Sequence, residues 1–350
     1  MTADAHDTAG DATSARAPAL EFRDVHITYK ARSGDVPAVR GVNLSLSAGS
    51  SLGIAGESGS GKSTLVSTVL RLQPKSARVS GEVLVEGTDV LSMSFKRLRA
   101  LRWAQASIVF QGALHGLNPI QRIGVQIAEP IALHEPKASA AEVNQRVGAL
   151  LEQVGLSAAR GRSYPHQLSG GQRQRVMIAM ALACRPRIII ADEPTTALDV
   201  MVQAQVLQVL VDLVDRLGLT LVLISHDLSV LADTCQQVAV MYAGEVVELG
   251  PSAQVFDDPA HPYSRALAGA FPRIGDQRFR YSPTGLPGDP PFPGEIDDGC
   301  PFAPRCPVAR ADCATGSVEL VAVAPGRLTS CRYPLIGASG QTPDARGGTP

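Results

Sequence analysis

The sequence has little of what would place a protein inside a membrane or on nucleic acid. Its longest apolar run, Val176 to Cys184, is far shorter than the ~20 residues that a spanning helix needs. Lys and Arg total 32 against 33 for Asp and Glu, so the net charge indicates neither nucleic acid nor anionic lipid as a partner. Residues 1–18 lack the basic start and apolar centre of a signal peptide. We therefore expect a cytoplasmic protein that reaches a membrane only through a partner.

Cysteine is also scarce, and its distribution is uneven. Four of the six cysteines lie close together near the end of the chain: Cys300, Cys306, Cys313 and Cys331. Because a reducing cytosol disfavours disulfides, such a group indicates a metal site sooner than disulfides. The spacing is unlike the short ferredoxin runs, and by itself it equally allows a tetrahedral zinc site. Cys184 and Cys235 lie in apolar or helical settings typical of core residues.

At 350 residues the chain is long enough for one large domain or two. Buried strands and helices alternate through its first two thirds, and a proline-rich, loop-rich composition follows Gly250. The predicted divisions are a disordered N-terminus (1–18), an α/β domain (19–250) with a helical insertion at about 112–170, a small extension (251–336) and a disordered tail (337–350).

A phosphate-binding loop is the clearest motif in the chain. Gly56–Ser63 reads G-E-S-G-S-G-K-S, a full match to G-x-x-x-x-G-K-[ST] between an apolar strand and a helix. The backbone N–H groups of such a loop turn inward around an anion, and the helix N-terminus adds partial positive charge. Lys62 would contact the β- and γ-phosphates, and Ser63 would hold Mg²⁺. The expected nucleotide contacts here are Gly56, Ser58, Gly59, Ser60, Gly61, Lys62, Ser63 and Thr64.

A second anion-binding geometry is predicted further along the chain. Gly170 and Gly171 precede the first turn of a long helix, between Ser169 and Gln172. We expect free N–H groups to point outward at this helix start.

Polar side chains are predicted at the carboxyl ends of several strands, where open α/β sheets bind ligands. They are Gln111, Asp192, Glu193 and His226. Asp192 is placed to hold Mg²⁺, directly or through water, and Glu193 faces the side where an attacking water would sit. Tyr29 ends an earlier strand, where its ring could stack on adenine or pack in the ordinary way.

Together these motifs resemble the nucleotide-binding subunit of an ABC (ATP-binding cassette) transporter. Beyond the phosphate loop, the resemblance rests on L-S-G-G-Q at Leu168–Gln172, D-E-P-T-T-A-L-D at Asp192–Asp199 and S-H-D at Ser225–Asp227. It implies an α/β fold with a RecA-like P-loop NTPase core, an antiparallel β subdomain, an inserted helical subdomain and the loop-rich extension. It also implies ATP hydrolysis with Mg²⁺.

The resemblance assigns a role to each site residue. It implies that Glu193 is the general base, that His226 contacts the γ-phosphate and that Tyr29 contacts the adenine. Gln111 would sense Mg²⁺ and the γ-phosphate, and the Mg²⁺ ligands would be Ser63, Gln111 and Asp192. In this family the signature of one subunit closes over ATP held by the other, so a sandwich dimer is implied. The residues acting across it would be Ser169, Gly170, Gly171, Gln172 and Asp199.

The same resemblance implies partners and a location. The expected partners are a second ATPase subunit (identical or homologous), two membrane permease subunits and, through the complex, an external solute-binding protein. The chain would then lie at the cytoplasmic face of the membrane as a peripheral subunit.

The extension is similar to that of dipeptide/oligopeptide importer ATPases. The resemblance is carried by D-P-A-H-P-Y-S at Asp258–Ser264 and C-P-F-A-P-R-C-P at Cys300–Pro307. Family members with four cysteines here imply a [4Fe-4S] cluster, with zinc as the alternative. We expect this cluster to be structural and far from the ATP site. One departure is Gly112-Ala113, where the family usually has an acidic residue and proline, which could alter contact with the membrane subunit.

Other functions remain open at this stage. Nickel and other small-solute importers share the extension in part, so the solute is not fixed. A soluble ABC ATPase acting on DNA or ribosomes would need insertions or a second cassette that the chain lacks. A regulatory module that binds ATP without hydrolysing it is disfavoured by the presence of Glu193 and His226.

Overall fold

The computed structural model describes residues 17–32, 34–112, 116–196, 198–270, 286, 288–292, 296 and 298–336. Of the segments expected to be disordered (1–18 and 337–350), residues 1–16 and 337–350 lie outside the described residues. Ala113 of the departure from the family pattern and Ala197 also lie outside them.

The first strands form an antiparallel sheet with the order β2-β1-β4-β5. Its strands are β1 (Leu20–Ala31), β2 (Gly34–Leu46), β4 (Ala77–Val85) and β5 (Thr88–Asp89). In β1 the buried apolar positions change from even to odd numbers after Phe22, where the pairing register shifts. Asp24 at that point has φ +47°, which marks a bulge that turns the rest of the strand over.

The larger sheet has the order β11-β12-β10-β9-β3-β8-β7-β6. Its parallel strands, rich in β-branched residues, are β3 (Ser51–Ala55), β6 (Ala106–Val109), β7 (Ile188–Asp192), β8 (Thr220–Ile224) and β9 (Gln237–Tyr242). The antiparallel strands β10 (Glu245–Pro251), β12 (Arg327–Thr329) and β11 (Val321–Ala324) extend it. Parallel strands buried on both faces need cover on both sides.

Two hydrophobic layers supply that cover. In β8, Val222 and Ile224 pack toward the antiparallel sheet, whereas Leu221 and Leu223 pack toward the helices, as the two-residue period of a strand requires.

The helices in chain order are α1 (Lys62–Ser67), α2 (Phe95–Leu101), α3 (Ile123–His134), α4 (Ala140–Gln153), α5 (Gly170–Ala181), α6 (Val200–Leu217), α7 (Leu228–Thr234), α8 (Ser252–Asp257) and α9 (Pro262–Ala270). The predicted α/β core, antiparallel β subdomain and inserted helices are confirmed.

The helical insertion is built from α3 and α4. A capping box starts α4: Ser139 Oγ accepts from the N–H of Glu142, and the Glu142 carboxylate accepts from the N–H of Ser139. The buried face of α4 carries Val147, Leu150 and Leu151, in agreement with the apolar period of the sequence. No described helix is long and apolar enough to cross a membrane.

The extension shares the sheet and the core of the preceding domain. Strand β12 pairs with β10, and Phe302 is 1% exposed within the main hydrophobic core. The Glu248 side chain, wholly buried in β10, accepts hydrogen bonds from the N–H groups of Ala260 and His261 and from Arg327. The change of composition at Gly250 therefore does not coincide with the end of the sheet.

Candidate nucleotide-binding site

The phosphate-binding loop, Gly56–Ser63, connects β3 to α1 as the sequence predicts. Gly56 has φ +149° and Gly61 has φ +98°, which are backbone conformations that residues with a side chain rarely adopt. A Cβ on Gly61 would lie 2.5 Å from the carbonyl oxygen of Ala38, and one on Gly56 would overlap that of Met241. The glycines are thus needed both for the turn and for its close packing on β2 and β9.

Lys62 lies folded against this loop. Its side chain is largely buried, and Nζ donates to the carbonyl oxygens of Gly56 (2.7 Å) and Glu57 (2.8 Å). Burial lowers the pKa of Lys62, and the nearby charges of Glu193, Asp192 and Glu57 oppose that shift. The ammonium therefore lies between the loop and the carboxylates at the end of β7.

Asp192 and Ser63 form the predicted magnesium position. Ser63 Oγ donates to Asp192 Oδ1 over 2.8 Å, across 129 residues of sequence. Burial raises the pKa of Asp192, while the Ser63 hydrogen bond lowers it. A hydroxyl and a carboxylate are the oxygen ligands that Mg²⁺ prefers. These two residues fit the ion, and the sequence analysis placed both.

Glu193 is the centre of a polar cluster. Its Oε2 accepts from Gln111 Nε2 (2.9 Å) and from Thr196 Oγ1 (2.9 Å), and it lies 3.8 Å from His226 Nδ1. The interaction with His226 is the main cause that lowers the pKa of Glu193, and Glu193 is the main cause that raises the pKa of His226. Two of the other predicted strand-end residues, Gln111 and His226, thus meet at the Glu193 carboxylate. Thr196 was not predicted.

The backbone at Glu193 is strained. Its φ is +42°, which is unusual for a residue with a side chain, and its N–H bonds to the carbonyl oxygen of Ile224 on β8. The strain turns the carboxylate away from β7 and toward Gln111 at the end of β6. A single-sequence pattern carries no signal for this conformation.

Tyr29 lies beside the phosphate-binding loop. Its hydroxyl donates to Thr64 Oγ1 over 3.4 Å, and its ring packs partly buried against the antiparallel sheet core. The structure therefore brings the predicted adenine contact next to the first turn of α1.

The signature residues stand apart from this cluster. Within the described residues, no hydrogen bond joins Ser169–Gln172 to the phosphate-binding loop. Gly170 and Gly171 were expected to precede the first turn, but they are the first two residues of α5. Ser169 is the N-cap of this helix, and its Oγ accepts from the N–H of Gln172. The Gln172 side chain in turn accepts from the N–H of Ser169. The local cap satisfies a donor that an anion would otherwise use.

Packing gives the two signature glycines a further role. A Cβ on Gly170 would lie 2.9 Å from Leu198 Cδ2, and one on Gly171 would overlap Val202 Cγ1. Asp199 caps α6 by accepting from the N–H of Val202 over 3.0 Å. The signature helix and the segment around Asp199 are therefore in close contact within one chain.

The predicted cysteine group comes together in space. Cys300, Cys306, Cys313 and Cys331 line one cavity, with Phe302 and His261 in its wall. Burial, together with smaller contributions from the charges of the three other cysteines, raises the pKa of Cys331 to about 11. His261 is fully buried, its Nδ1 accepts from the N–H of Tyr263, and its Nε2 has no partner among the described residues.

The extension reaches the phosphate-binding loop, whereas the cluster itself was expected to lie far from the ATP site. Arg305, which precedes Cys306, forms an ion pair with Glu57 of the phosphate-binding loop at 2.7 Å. Glu57, Tyr263 and Arg305 were missed as site residues, because position 57 is unspecified in the loop motif and its partners lie more than 200 residues away. Tyr263 and Arg305 lie within the two quoted runs of the extension, but those runs were used only to identify the family.

Two family models match the chain. Residues 39–196 match the model described as "ABC transporter", and residues 247–313 match the one described as "Oligopeptide/dipeptide transporter, C-terminal region". The first match contains the phosphate-binding loop and Glu193. The second contains Tyr263, Arg305 and all but one of the clustered cysteines.

Curated proteins of similar sequence align with nearly the whole chain. An oligopeptide transport ATP-binding protein of Salmonella typhimurium is 43% identical over 329 residues, which is 93% of this chain and 97% of that protein. A putative peptide import ATP-binding protein of Brucella abortus is 42% identical, over 90% of this chain and 95% of the other.

Similar solved structures cover the cassette. A dimeric ATP-binding cassette, MJ0796, in a post-hydrolysis state with ADP and Pi, superposes with a TM-score of 0.60 at 31% identity. The match covers 67% of this chain and 98% of that one. Another cassette, from the cbiONQ transporter of Clostridium perfringens, gives a TM-score of 0.59 at 28% identity, over 69% of this chain and 92% of the other.

Proposed function

This chain belongs to the ATP-binding subunits of ABC transporters, in the oligopeptide/dipeptide importer family, and from that premise we propose that its ATP hydrolysis drives the uptake of dipeptides or oligopeptides. It is an ABC transporter ATPase. The observation that carries the solute class is the C-terminal match over residues 247–313, supported by relatives named for peptide import.

The site geometry supports the following catalytic roles. Glu193, with its lowered pKa, is unprotonated at neutral pH and acts as the general base toward water. Gln111 and Thr196 hold one of its oxygens, which leaves the other oxygen for the attacking water. His226, whose pKa is raised by Glu193, contacts the γ-phosphate as the family resemblance implies. Ser63, Asp192 and Gln111 hold Mg²⁺, which neutralises phosphate charge when bound.

Binding of the nucleotide uses the loop and its surroundings. Lys62 contacts the β- and γ-phosphates, the loop N–H groups surround them, and Tyr29 contacts the adenine. The hydrogen bonds of the Ser169 and Gln172 side chains are local to the helix start and do not reach this loop, and Ser169–Gln172 and Asp199 act on ATP bound by a second subunit, as the family resemblance implies. A dimer of the MJ0796 kind supports that arrangement. Two permease subunits and an external solute-binding protein complete the complex, and the chain lies on the cytoplasmic side of the membrane.

Solute uptake by the assembled transporter tests the proposal. The chain is purified with its co-eluting membrane subunits and solute-binding protein, and reconstituted in vesicles with ATP on the side of this subunit. We expect ATP-dependent uptake of labelled tri- to pentapeptides and no uptake of nickel. The Glu193→Gln complex is the matched control and should take up neither. Nickel uptake without peptide uptake would replace the proposed solute.

The cysteine cavity supports a [4Fe-4S] cluster as the metal centre of the extension. Four thiols line one cavity with a buried His261 whose Nε2 has no partner among the described residues, and hydrogen bonds to sulfur are a known feature of such sites. One zinc ion would need the thiolates about 3.8 Å apart, given Zn–S of about 2.3 Å. Among the described residues, no group of three or more histidine, cysteine or carboxylate side chains is placed to hold a metal ion, so either metal would require the cysteine side chains to move. The preference for the cluster over zinc therefore rests on the family resemblance.

Free space within the cavity is small, about 20 Å³, so metal binding involves rotation of the cysteine side chains. Anaerobically purified protein should be brown and contain about four irons per chain. Cys306→Ser should lower the iron content, whereas Cys184→Ser, outside the cavity, should not. Colourless protein with one zinc would establish the alternative, and metal-free protein with unchanged stability in Cys306→Ser would refute a metal site.

A further inference from the structure

Glu57 is the residue at which the extension meets the phosphate-binding loop. Its N–H donates to Tyr263 Oη over 2.9 Å, and its carboxylate accepts from Arg305 Nη1 and Nη2 over 2.7 and 3.1 Å. Its carbonyl oxygen accepts from Lys62 Nζ over 2.8 Å. One residue therefore connects the extension, by side chain and backbone, to the lysine that contacts phosphate.

The ion pair is fixed in orientation. Paired hydrogen bonds between a guanidinium and a carboxylate hold both groups in one plane. The Arg305 side chain is only 7% exposed, and it donates further to Tyr242 Oη (3.2 Å) and to the carbonyl oxygen of Gly288 (3.0 Å). The bond to Glu57 raises the pKa of Arg305, which keeps the guanidinium charged. Loss of Glu57 would remove the carboxylate that pairs with a largely buried guanidinium, and loss of Arg305 would remove this cation from the Glu57 carboxylate.

Tyr263 is held as firmly by packing. It is fully buried, with ring centroids 4.5 Å from Tyr242 and 5.3 Å from Phe302. Burial raises the pKa of Tyr263, so its hydroxyl stays neutral and accepts from the loop N–H. The hydroxyl can move only if this aromatic group moves with it.

The same segments line the cysteine cavity. Arg305 ends the turn Ala303–Arg305 between two of the cysteines. The N–H of Ala303 bonds to the carbonyl oxygen of Cys300, and the N–H of Cys306 bonds to that of Ala303. Phe302 and His261 form part of the cavity wall. A displacement of Cys300 or Cys306 therefore moves Arg305 directly.

We propose that Arg305 and Tyr263 are positioning residues of the nucleotide site, which hold Glu57 and thereby make ATP binding depend on the state of the cysteine segment. The proposal rests on the proposed use of this loop for ATP, and it is independent of the solute and of the metal identity. Because the base Glu193 and the magnesium ligand Asp192 lie at the end of β7, and Ser63 is the one proposed magnesium ligand within the loop, the effect falls on ATP affinity more than on turnover at saturation.

A double-mutant cycle on the full chain tests the link. The variants are Arg305→Gln, Glu57→Gln and the two combined, with binding of a fluorescent ATP analogue as the readout. We expect each single change to weaken binding about 5- to 30-fold, as loss of one or two net hydrogen bonds would. The combined change should weaken it no further than one alone. In the assembled complex, KM for ATP should rise with kcat changed less.

Matched variants separate positioning from general loosening. Tyr263→Phe keeps the ring and removes only the acceptor for the Glu57 N–H, so it should weaken ATP binding without lowering the melting temperature greatly. Arg305→Lys keeps the charge without the paired geometry and should fall between wild type and Arg305→Gln. Arg187→Gln is the control, since Arg187 pairs with Glu86 at the surface, outside both the extension and the phosphate-binding loop. It should bind ATP normally.

A separate variant, Cys306→Ser, tests whether ATP binding depends on the cysteine segment. Cys306→Ser should weaken ATP binding in the wild-type background and add nothing in the Arg305→Gln background. Normal ATP affinity in Arg305→Gln and Tyr263→Phe, whatever their stability, would overturn the proposal, as would additive effects of Cys306→Ser and Arg305→Gln. Failure of peptide uptake with these binding effects intact would instead refute the proposed solute and leave the link standing.

Discussion

Replacement of Glu193 by Gln tests the catalytic assignment most directly. The amide keeps the shape of the side chain and can still accept hydrogen bonds from Gln111 and Thr196, so the site should keep its form. It cannot take a proton from water. Loss of a positioned general base typically slows turnover about 10²- to 10⁴-fold, which is about 2.7–5.4 kcal/mol of transition-state stabilisation.

The structure predicts a second, independent effect of Glu193→Gln. Glu193 is the main cause of the raised pKa of His226, so the variant should return that pKa toward the ordinary histidine value. For the wild type, the raised pKa means that the ion pair stabilises the folded state at pH values below the ordinary histidine pKa and that this contribution is lost as the pH rises through the raised value. The lowered pKa of Glu193 means the contribution is also lost as the pH falls through that value.

Phosphate release by the assembled complex measures turnover, and titration of the His226 ring by NMR measures its pKa. ATP affinity should stay within about threefold of wild type, because Lys62 and the loop are unchanged. Glu86→Gln is a matched control: Glu86 pairs with Arg187 at the surface, away from the cluster, and its loss should leave turnover unaltered. Near-normal hydrolysis by Glu193→Gln, with the His226 pKa lowered as expected, would refute the role of Glu193 as base. It would still support the ion pair between Glu193 and His226 in the wild type.

The remaining predictions concern the loop, the signature and the histidine. Lys62→Ala should weaken ATP binding itself, which a fluorescent-ATP titration would separate from chemistry; unchanged affinity would count against the loop assignment. If the chain pairs with itself, mixing Lys62→Ala and Ser169→Ala chains should restore one working site, and an inactive mixed dimer would contradict sharing of sites across subunits. Gly171→Ala should destabilise the fold by about 1–3 kcal/mol in urea titration, because its Cβ would overlap Val202. His226→Gln should remove the fall of kcat/KM above the ordinary histidine pKa, provided that the charged ring is the active form; an unchanged alkaline limb would assign it to another group.

The parts of the fold that could be predicted are those set by local pattern. β7 and β8 are near-continuous apolar runs, which are typical of strands buried on both faces, and the phosphate-binding loop is fixed by its glycines and its strand–helix context. The change of the buried face of β1 after Phe22 could not be predicted, because the bulge at Asp24 depends on pairing with two neighbouring strands. Likewise, the apolar positions of the extension gave no sign that β12 would pair with β10.

The signature shows why one residue type can be read in more than one way. From the sequence, Gly170 and Gly171 indicate backbone donors open to an anion. In the folded chain they also allow α5 to approach Leu198 and Val202, and the Ser169 hydroxyl caps the Gln172 N–H. A glycine in a sequence indicates that another group approaches the backbone closely. The folded structure is needed to tell whether that group is a ligand, a side chain or both.

The phosphate-binding loop carries the same lesson further. Its motif specifies the glycines, the lysine and the hydroxyl, since these face the phosphates, and leaves the intervening positions open. Glu57 occupies one of those open positions, and its carboxylate accepts a hydrogen bond from Arg305, 248 residues later in the chain. A position that is unconstrained by phosphate is free to bind another part of the protein. In this chain that freedom connects the loop to the cysteine segment, which is why the extension affects the nucleotide site although none of its residues belongs to the nucleotide motifs.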